Sequence, residues 1–400
     1  MGIMLTDQQK AIVKEGVRFY KSTSQQVFEY GGYAGTGKSV VLAAIQQELG
    51  LDYCDIAPMA FIGQASLVMR TKGFFNAKTV HSWLYAPVFK EKKIDGKTVH
   101  DAYFNRPLYD MGFVNKGNIG NISAIFLDEA YSCPYKYKKD ILATGKKIFA
   151  TGDPGQLPPV KDKPAFLENI GTYPILDEIM RQNDGSSIIY LASRARTGQS
   201  IDLGNYGDAM VIEFKDLDLN NMYGADIIIC GTNARKDAIN NAFRNNIYNY
   251  NSTIPNHGEK VICRKNNWGL EVEGINLTNG LRGTVMNYPD VSGFNGRSFM
   301  IDFKPDLFNS QFNNITVDYK YFIGNNEQRQ IIKTQPYSDG DKFEYAYATT
   351  CHISQGSQYN AGIYIEDYMG GGIQNNLNYT GITRFMNKLL YVKPPIRKYY

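Results

Sequence analysis

The sequence predicts an α/β protein built from two parallel-sheet domains in tandem. Three observations carry that expectation: short apolar runs that end in small or acidic residues, amphipathic helical stretches between many of them, and a dividing point near residue 185, where "QNDGSS" breaks the pattern. An apolar run closed by Gly, Asp or Ala reads as a buried parallel strand, because both faces are covered and its end delivers a loop. Such runs fall at residues 27–30, 53–57, 122–127 and 147–151 in the first half, and at 226–230, 362–365 and 389–392 in the second. Helical periodicity fills 40–49 and 234–245. The expected domains are residues 1–185 and 186–400.

Two segments interrupt the alternation. The first, residues 85–118, contains "VFKEKKIDGKTVHDAYF", where Asp95-Gly96 between alternating flanks signals a hairpin. The second, residues 276–345, is rich in short β-type runs such as "RSFMIDF" and "NITVDYKYF" with Gly and Asn between them, so a small β-barrel is expected there.

The composition, 43% hydrophobic and 20% charged, is that of an ordinary globular protein. A formal net charge of +4 neither demands nor excludes a nucleic-acid partner, because a local basic groove can sit on a nearly neutral whole. With 29 Tyr and 21 Phe, rings remain to stack on bases even after the cores are filled. The five cysteines are scattered without a Cys-x-x-Cys pair, which argues against a zinc site and for reduced thiols. No opening run resembles a signal peptide, and no apolar stretch approaches the ~20 residues of a membrane span. A cytoplasmic protein without membrane contact is expected, in the host cytoplasm if a phage encodes it.

Chemistry is concentrated after the first apolar run. There Gly32, Tyr33, Ala34, Gly35, Thr36 and Gly37 lead into Lys38 and Ser39, and a helix follows. Strand, glycine-rich loop and helix in that order form a phosphate-binding loop: backbone N–H groups and the helix N-terminus face the phosphates, and a side chain on the loop would block that approach. Lys38 is placed to reach the β and γ oxygens of ATP, and Ser39 to ligate Mg²⁺. "AIFLDEA" supplies the acids such a site needs, Asp128 for Mg²⁺ and Glu129 to orient or deprotonate the attacking water. In "TGDPGQLPPV" (151–160), Gln156 sits on a loop stiffened by Pro154, Pro158 and Pro159, where it could sense the γ-phosphate.

With these pieces in order, the chain resembles the superfamily 1 DNA helicases, of the 5′ to 3′ branch that holds the phage Dda and RecD-type enzymes. The likeness runs through "LTDQQKAI" (5–12), the phosphate loop, "APMAF" (57–61), "TVHSWL" (79–84), "FLDEA", "GDPGQLPPV" and "LDEIMRQ" (176–182). It continues through "TNARKDAIN" (232–240), "TNGLRGTV" (278–285), "YAYATTCHISQGSQY" (345–359) and "YTGITRFMNKLLYV" (379–392). The resemblance implies two tandem RecA-like domains, with a wedge hairpin inserted in the first and an SH3-like barrel in the second. It implies ATP and Mg²⁺ as cofactors, adenine reading by Gln9, a nucleotide contact at Gly356, and arginine fingers at Arg181 and Arg384. Pro58, His81, Trp83, Asn279, Thr350 and His352 fall in segments that face DNA in relatives. Phe89, Tyr103 and Phe104 are the candidate wedge rings. Ile353 stands where relatives commonly carry Lys.

The implied activity is ATP-driven 5′ to 3′ movement on single-stranded DNA with opening of duplex at forks. The implied form is a monomer working beside replication or recombination proteins. Other readings stay open at the level of residues: an RNA track in place of DNA, a DNA-stimulated translocase that remodels protein–DNA complexes or junctions without efficient unwinding, and a nucleotide-dependent switch or binding module. Glu129 with Arg181 and Arg384 weighs for hydrolysis and against the switch.

Overall fold

In the computed structural model, the described residues are 5–22, 24–91, 93–94, 97–98, 109–178, 186–250, 252–289, 296–334, 339–370 and 372–394. Two six-stranded sheets form the framework. In the first, the strands run in the order Ile175–Leu176, Val27–Gly32, Lys147–Gly152, Ala124–Asp128, Ile56–Ala60 and Lys78–Thr79, and every pairing is parallel. Alternate residues serve opposite faces. Tyr30, Ile56, Ala60, Phe126 and Phe149 pack with Ile12, Phe19, Leu42 and Ile45 from the helices Asp7–Ser22 and Lys38–Leu49, whereas Ala57, Met59, Ile125, Leu127, Ile148 and Ala150 pack with Leu84 and Phe166. This two-sided burial is why the strands read as continuous apolar runs.

The second sheet is ordered Gly204–Asn205, Ala209–Glu213, Phe385–Lys393, Tyr359–Ile365, Ile227–Cys230 and Ala348–Thr350, parallel except at its first edge. One face packs on Leu191 and Leu377 from helices Ser187–Arg196 and Gln374–Ile382. The other face, through Ile228, Cys230, Ile363 and Ile365, shares a core with Val261, Phe303, Ile315 and Phe343. Those last residues belong to a five-stranded antiparallel sheet in the order Phe312–Asp318, Ser298–Pro305, Arg282–Val285, Lys260–Cys263 and Phe343–Tyr345. This antiparallel sheet starts at Lys260, before the expected residue 276, because Lys260–Cys263 is an interior strand paired on both sides.

All seven apolar runs expected as strands are strands. The second is displaced from 53–57 to Ile56–Ala60, because Asp55 accepts the Asp52 amide in a polar turn (2.9 Å) and the extended segment starts only after it. Within the first insertion, Tyr85–Glu91 pairs antiparallel with Tyr109–Asn115, and Lys93–Ile94 pairs with Lys97–Thr98. The turn residues Asp95 and Gly96 and the rings Tyr103 and Phe104 lie outside the described residues, as does the Phe89 side chain. So do residues 179–185, with the expected domain break and Arg181. Among the described residues no helix is long and apolar enough to cross a membrane.

Candidate nucleotide site and nucleic-acid cleft

The strand Val27–Gly32 delivers the glycine-rich loop, and the helix Lys38–Leu49 leaves it. Gly37 caps that helix at φ 81°, a left-handed conformation that glycine adopts without strain, and no side chain caps the first turn. The N-terminal amides are thus left to an anion, with the helix dipole behind them. Lys38 folds back on the loop, its ammonium donating to the carbonyls of Gly32 (2.9 Å) and Tyr33 (3.2 Å).

Ser39 and Asp128 meet at the end of the strand Ala124–Asp128, the Ser39 hydroxyl donating to Asp128 Oδ2 at 3.0 Å. A hydroxyl and a carboxylate oxygen side by side form a hard donor pair that fits Mg²⁺, which takes one or two protein oxygens and completes its shell with water and phosphate. Glu129 follows in the left-handed region, at φ 50°. A non-glycine residue held there stores strain that the surroundings must over-determine, and such strain gathers at functional sites. Burial and the neighbouring Asp128 raise the Glu129 carboxyl above its ordinary range, and Arg384 and Lys38 oppose that shift.

Arg384 arrives from the second sheet. It is 4% exposed, and its guanidinium is fixed by three acceptors: Thr380 O (3.1 Å), Ser357 O (3.3 Å) and Thr383 Oγ1 (3.2 Å). Together with Lys38, Ser39, Asp128, Glu129 and Gln156 it lines a cleft of about 440 Å³ between the two parallel-sheet units. Gly356 lines it too, at φ 73°, with a Cβ there falling 2.5 Å from Ala65 Cβ of the opposite unit. Gln9 lies behind the loop: its amide donates to Thr36 O (2.9 Å) and its carbonyl accepts the Thr6 amide (3.1 Å), in a capping box that starts the helix Asp7–Ser22. Both ends of that side chain are occupied, so here it braces the phosphate loop and does not line the cleft.

The loop at 153–160 is held by side chains of the second unit. Tyr379 donates to Asp153 (2.7 Å) and accepts the Ala34 amide of the phosphate loop (2.8 Å), Thr380 accepts the Leu157 amide (2.9 Å), and Asn376 donates to the carbonyls of Gly155 (2.9 Å) and Gln156 (3.1 Å). Gln355 donates to Leu157 O at 2.6 Å.

A second cleft, of about 420 Å³, also lies between the units. His81, Asn279 and His352 line it, as does Ile353. Pro58, Trp83 and Thr350 do not. Pro58 sits inside the fully buried strand Ile56–Ala60, Trp83 Nε1 is spent on Pro58 O (2.9 Å), and Thr350 is buried where the helix Cys351–Ser354 begins. Sequence reasoning missed Phe61, Lys136, Arg264 and Trp268 in the same walls. For Phe61 a signal existed: in a parallel sheet, ligand-facing residues follow the strand's carboxyl end, which favours residue 61 over residue 58. His81 joins a group of rings with Phe61, Tyr137 and Trp268, and its Nε2 lies 3.0 Å from Tyr137 Oη. Trp268 Nε1 and Arg264 Nη1 are buried with no hydrogen-bond partner among the described residues.

Burial, with Lys136 nearby, pushes the His81 imidazole down to about 4 from an ordinary 6.5. Between those values the unfolded chain binds the proton that the folded chain refuses, so stability falls as pH drops from 6.5 toward 4. The difference in urea midpoint between pH 7 and pH 5 is expected to be smaller in His81→Gln than in the parent; equal differences would show that this ring titrates normally.

The family model described as AAA domain matches residues 4–216, more than half of the chain. The chain belongs to the AAA domain family. Among solved structures, this AAA-domain chain shares its fold with the Pif1 helicase from Candida albicans, at 18% identity over 98% of this chain and 94% of that one, with a TM-score of 0.54. It also matches the Pif1 helicase from Bacteroides in complex with ADP-AlF3 and ssDNA, at 14% identity, 98% and 92% coverage and a TM-score of 0.57. A structure of two coordinating Pif1 helicases at forked dsDNA matches at 15% identity, with the same coverage and TM-score. These likenesses agree with the expected fold of two RecA-like units. Comparison with curated protein sequences finds no match.

Proposed function

We propose that this chain is an ATP-dependent DNA helicase that moves 5′ to 3′ on single-stranded DNA and opens duplex at forks. One observation carries the reading: the two clefts share a wall. The loop at 153–160 contributes Gln156 to the first cleft and Pro159 and Val160 to the second, and the adjacent residues Gln355 and Gly356 face the second and first clefts respectively. A change in how the first cleft closes must therefore shift residues that line the other.

In this reading the loop amides and Lys38 hold the phosphates, and Ser39 and Asp128 hold Mg²⁺, which when bound neutralises phosphate charge. Glu129 orients the attacking water and takes its proton, Gln156 senses the γ-phosphate, and Arg384 meets the charge that develops on the transferred group. Arg181 is assigned the second finger by the family motif alone. Gln9 would read adenine only by releasing Thr36 O. The second cleft is the proposed track, with Phe61, His81 and Trp268 as stacking surfaces and Lys136 and Arg264 as cations for the backbone, in place of the Lys absent at Ile353. The similar Pif1 structures, bound to ADP-AlF3 and ssDNA or set at forked dsDNA, support this choice of ligands. Unwinding of forks bearing only a 5′ or only a 3′ single-stranded tail tests the proposal. Opening is expected with the 5′ tail; opening only with the 3′ tail reverses the direction, and none with either leaves the translocase reading.

A further inference from the structure

A third cation reaches the phosphate site, and no phosphate-loop motif calls for it. Lys72 is the residue that ends the helix Gly63–Thr71, where the negative end of the helix dipole favours a positive charge. Its body is anchored by the helix, which buries Leu67 and Met69, while the lysine itself is exposed. Its ammonium donates to Ser39 Oγ at 3.1 Å, and that same hydroxyl donates to Asp128 Oδ2 at 3.0 Å. The lone pair that Ser39 would offer a metal is thus engaged by an ammonium, beside the carboxylate that completes the donor pair.

We propose that Lys72 is a tethered cation at the magnesium seat, competing with Mg²⁺ for Ser39 and partly replacing it when nucleotide binds without metal. The inference rests on the nucleotide-site reading above. Mg²⁺ sits about 2.0–2.1 Å from its oxygen ligands, so it and the ammonium cannot both use Ser39 Oγ without two like charges standing a few ångströms apart. The long, flexible lysine stem allows the ammonium to leave and return, and its charge satisfies a phosphate oxygen as readily as a hydroxyl. The Lys38 ammonium, by contrast, donates to the loop carbonyls of Gly32 and Tyr33 and not to Ser39.

The test is equilibrium binding of a fluorescent ADP to the full chain, across a Mg²⁺ titration and in EDTA, for the parent, Lys72→Met and Lys72→Arg. Lys72→Met is expected to bind the nucleotide roughly fivefold or more weakly in EDTA, and to need several-fold less Mg²⁺ for half of the metal-dependent gain. Lys72→Arg, which keeps the charge, is expected to stay near the parent in EDTA. Superimposable curves for Lys72→Met and the parent, in EDTA and in Mg²⁺, would overturn the inference while leaving the nucleotide site standing. No binding by the parent under any condition would overturn both.

Discussion

Glu129→Gln is expected to lower ATP turnover by roughly 10²–10⁴-fold while nucleotide affinity stays near that of the parent. The change keeps the size and shape of the side chain and removes only the ability to accept a proton. The left-handed backbone that positions residue 129 is set by its neighbours: its carbonyl accepts the Ser132 amide (3.0 Å) and hydroxyl (2.7 Å), and its amide donates to Asp128 Oδ1 (2.9 Å). None of those bonds involves the Glu129 carboxyl, so the variant should keep the local geometry. The raised Glu129 carboxyl adds a signature: the acid limb of the pH profile of turnover should lie above the ordinary carboxylate range and vanish in the variant. Phosphate release measured between pH 5 and 8, alongside fluorescent-nucleotide binding, reads both effects. Turnover within a few-fold of the parent would remove Glu129 from the reaction.

Arg384→Lys is expected to cost about 10³-fold or more in turnover, with a smaller change in nucleotide affinity. A planar guanidinium can satisfy Thr380 O, Ser357 O and Thr383 Oγ1 and still present its remaining donors to the cleft, which a compact ammonium cannot do. Lysine is preferred to alanine because truncation would leave buried carbonyls of the second unit unpaired and destabilise the fold itself. A thermal unfolding curve close to the parent, combined with lost turnover, separates the charge geometry from folding. Unchanged turnover would mean that the second unit contributes no charge to the transferring group.

The two sites differ in how far the sequence reveals them, and the reason is where their residues sit along the chain. The phosphate site is built from short contiguous segments, each at the end of a strand that its own apolar pattern announces, so Lys38, Ser39, Asp128 and Glu129 are readable in order. The second cleft is assembled from residues 61–63, 79–81, 132–136, 159–160, 264–280 and 352–355, and no local pattern links Phe61 to Trp268. Arg264 reaches its wall because Glu344 of a paired strand holds it (3.2 Å), a contact that depends on the register of the antiparallel sheet. The two-residue strands Lys78–Thr79 and Ile175–Leu176 are likewise invisible to periodicity, since pairing and not pattern defines them. Pro58 and Trp83 show the converse: their segments border the cleft, but Pro58 is inside a buried strand and Trp83, on the helix Val80–Leu84, turns its indole N–H to Pro58 O, so neither lines it.

What joins these parts is the claim that ATP hydrolysis in one cleft answers to a strand held in the other. The most direct measurement is ATP turnover by the full chain with and without single-stranded DNA, repeated over a range of salt. Strong stimulation is expected, with DNA affinity falling on a log–log salt plot by a slope of about −0.7 for each phosphate neutralised. Turnover that is the same with and without the strand, at every salt concentration, would contradict it.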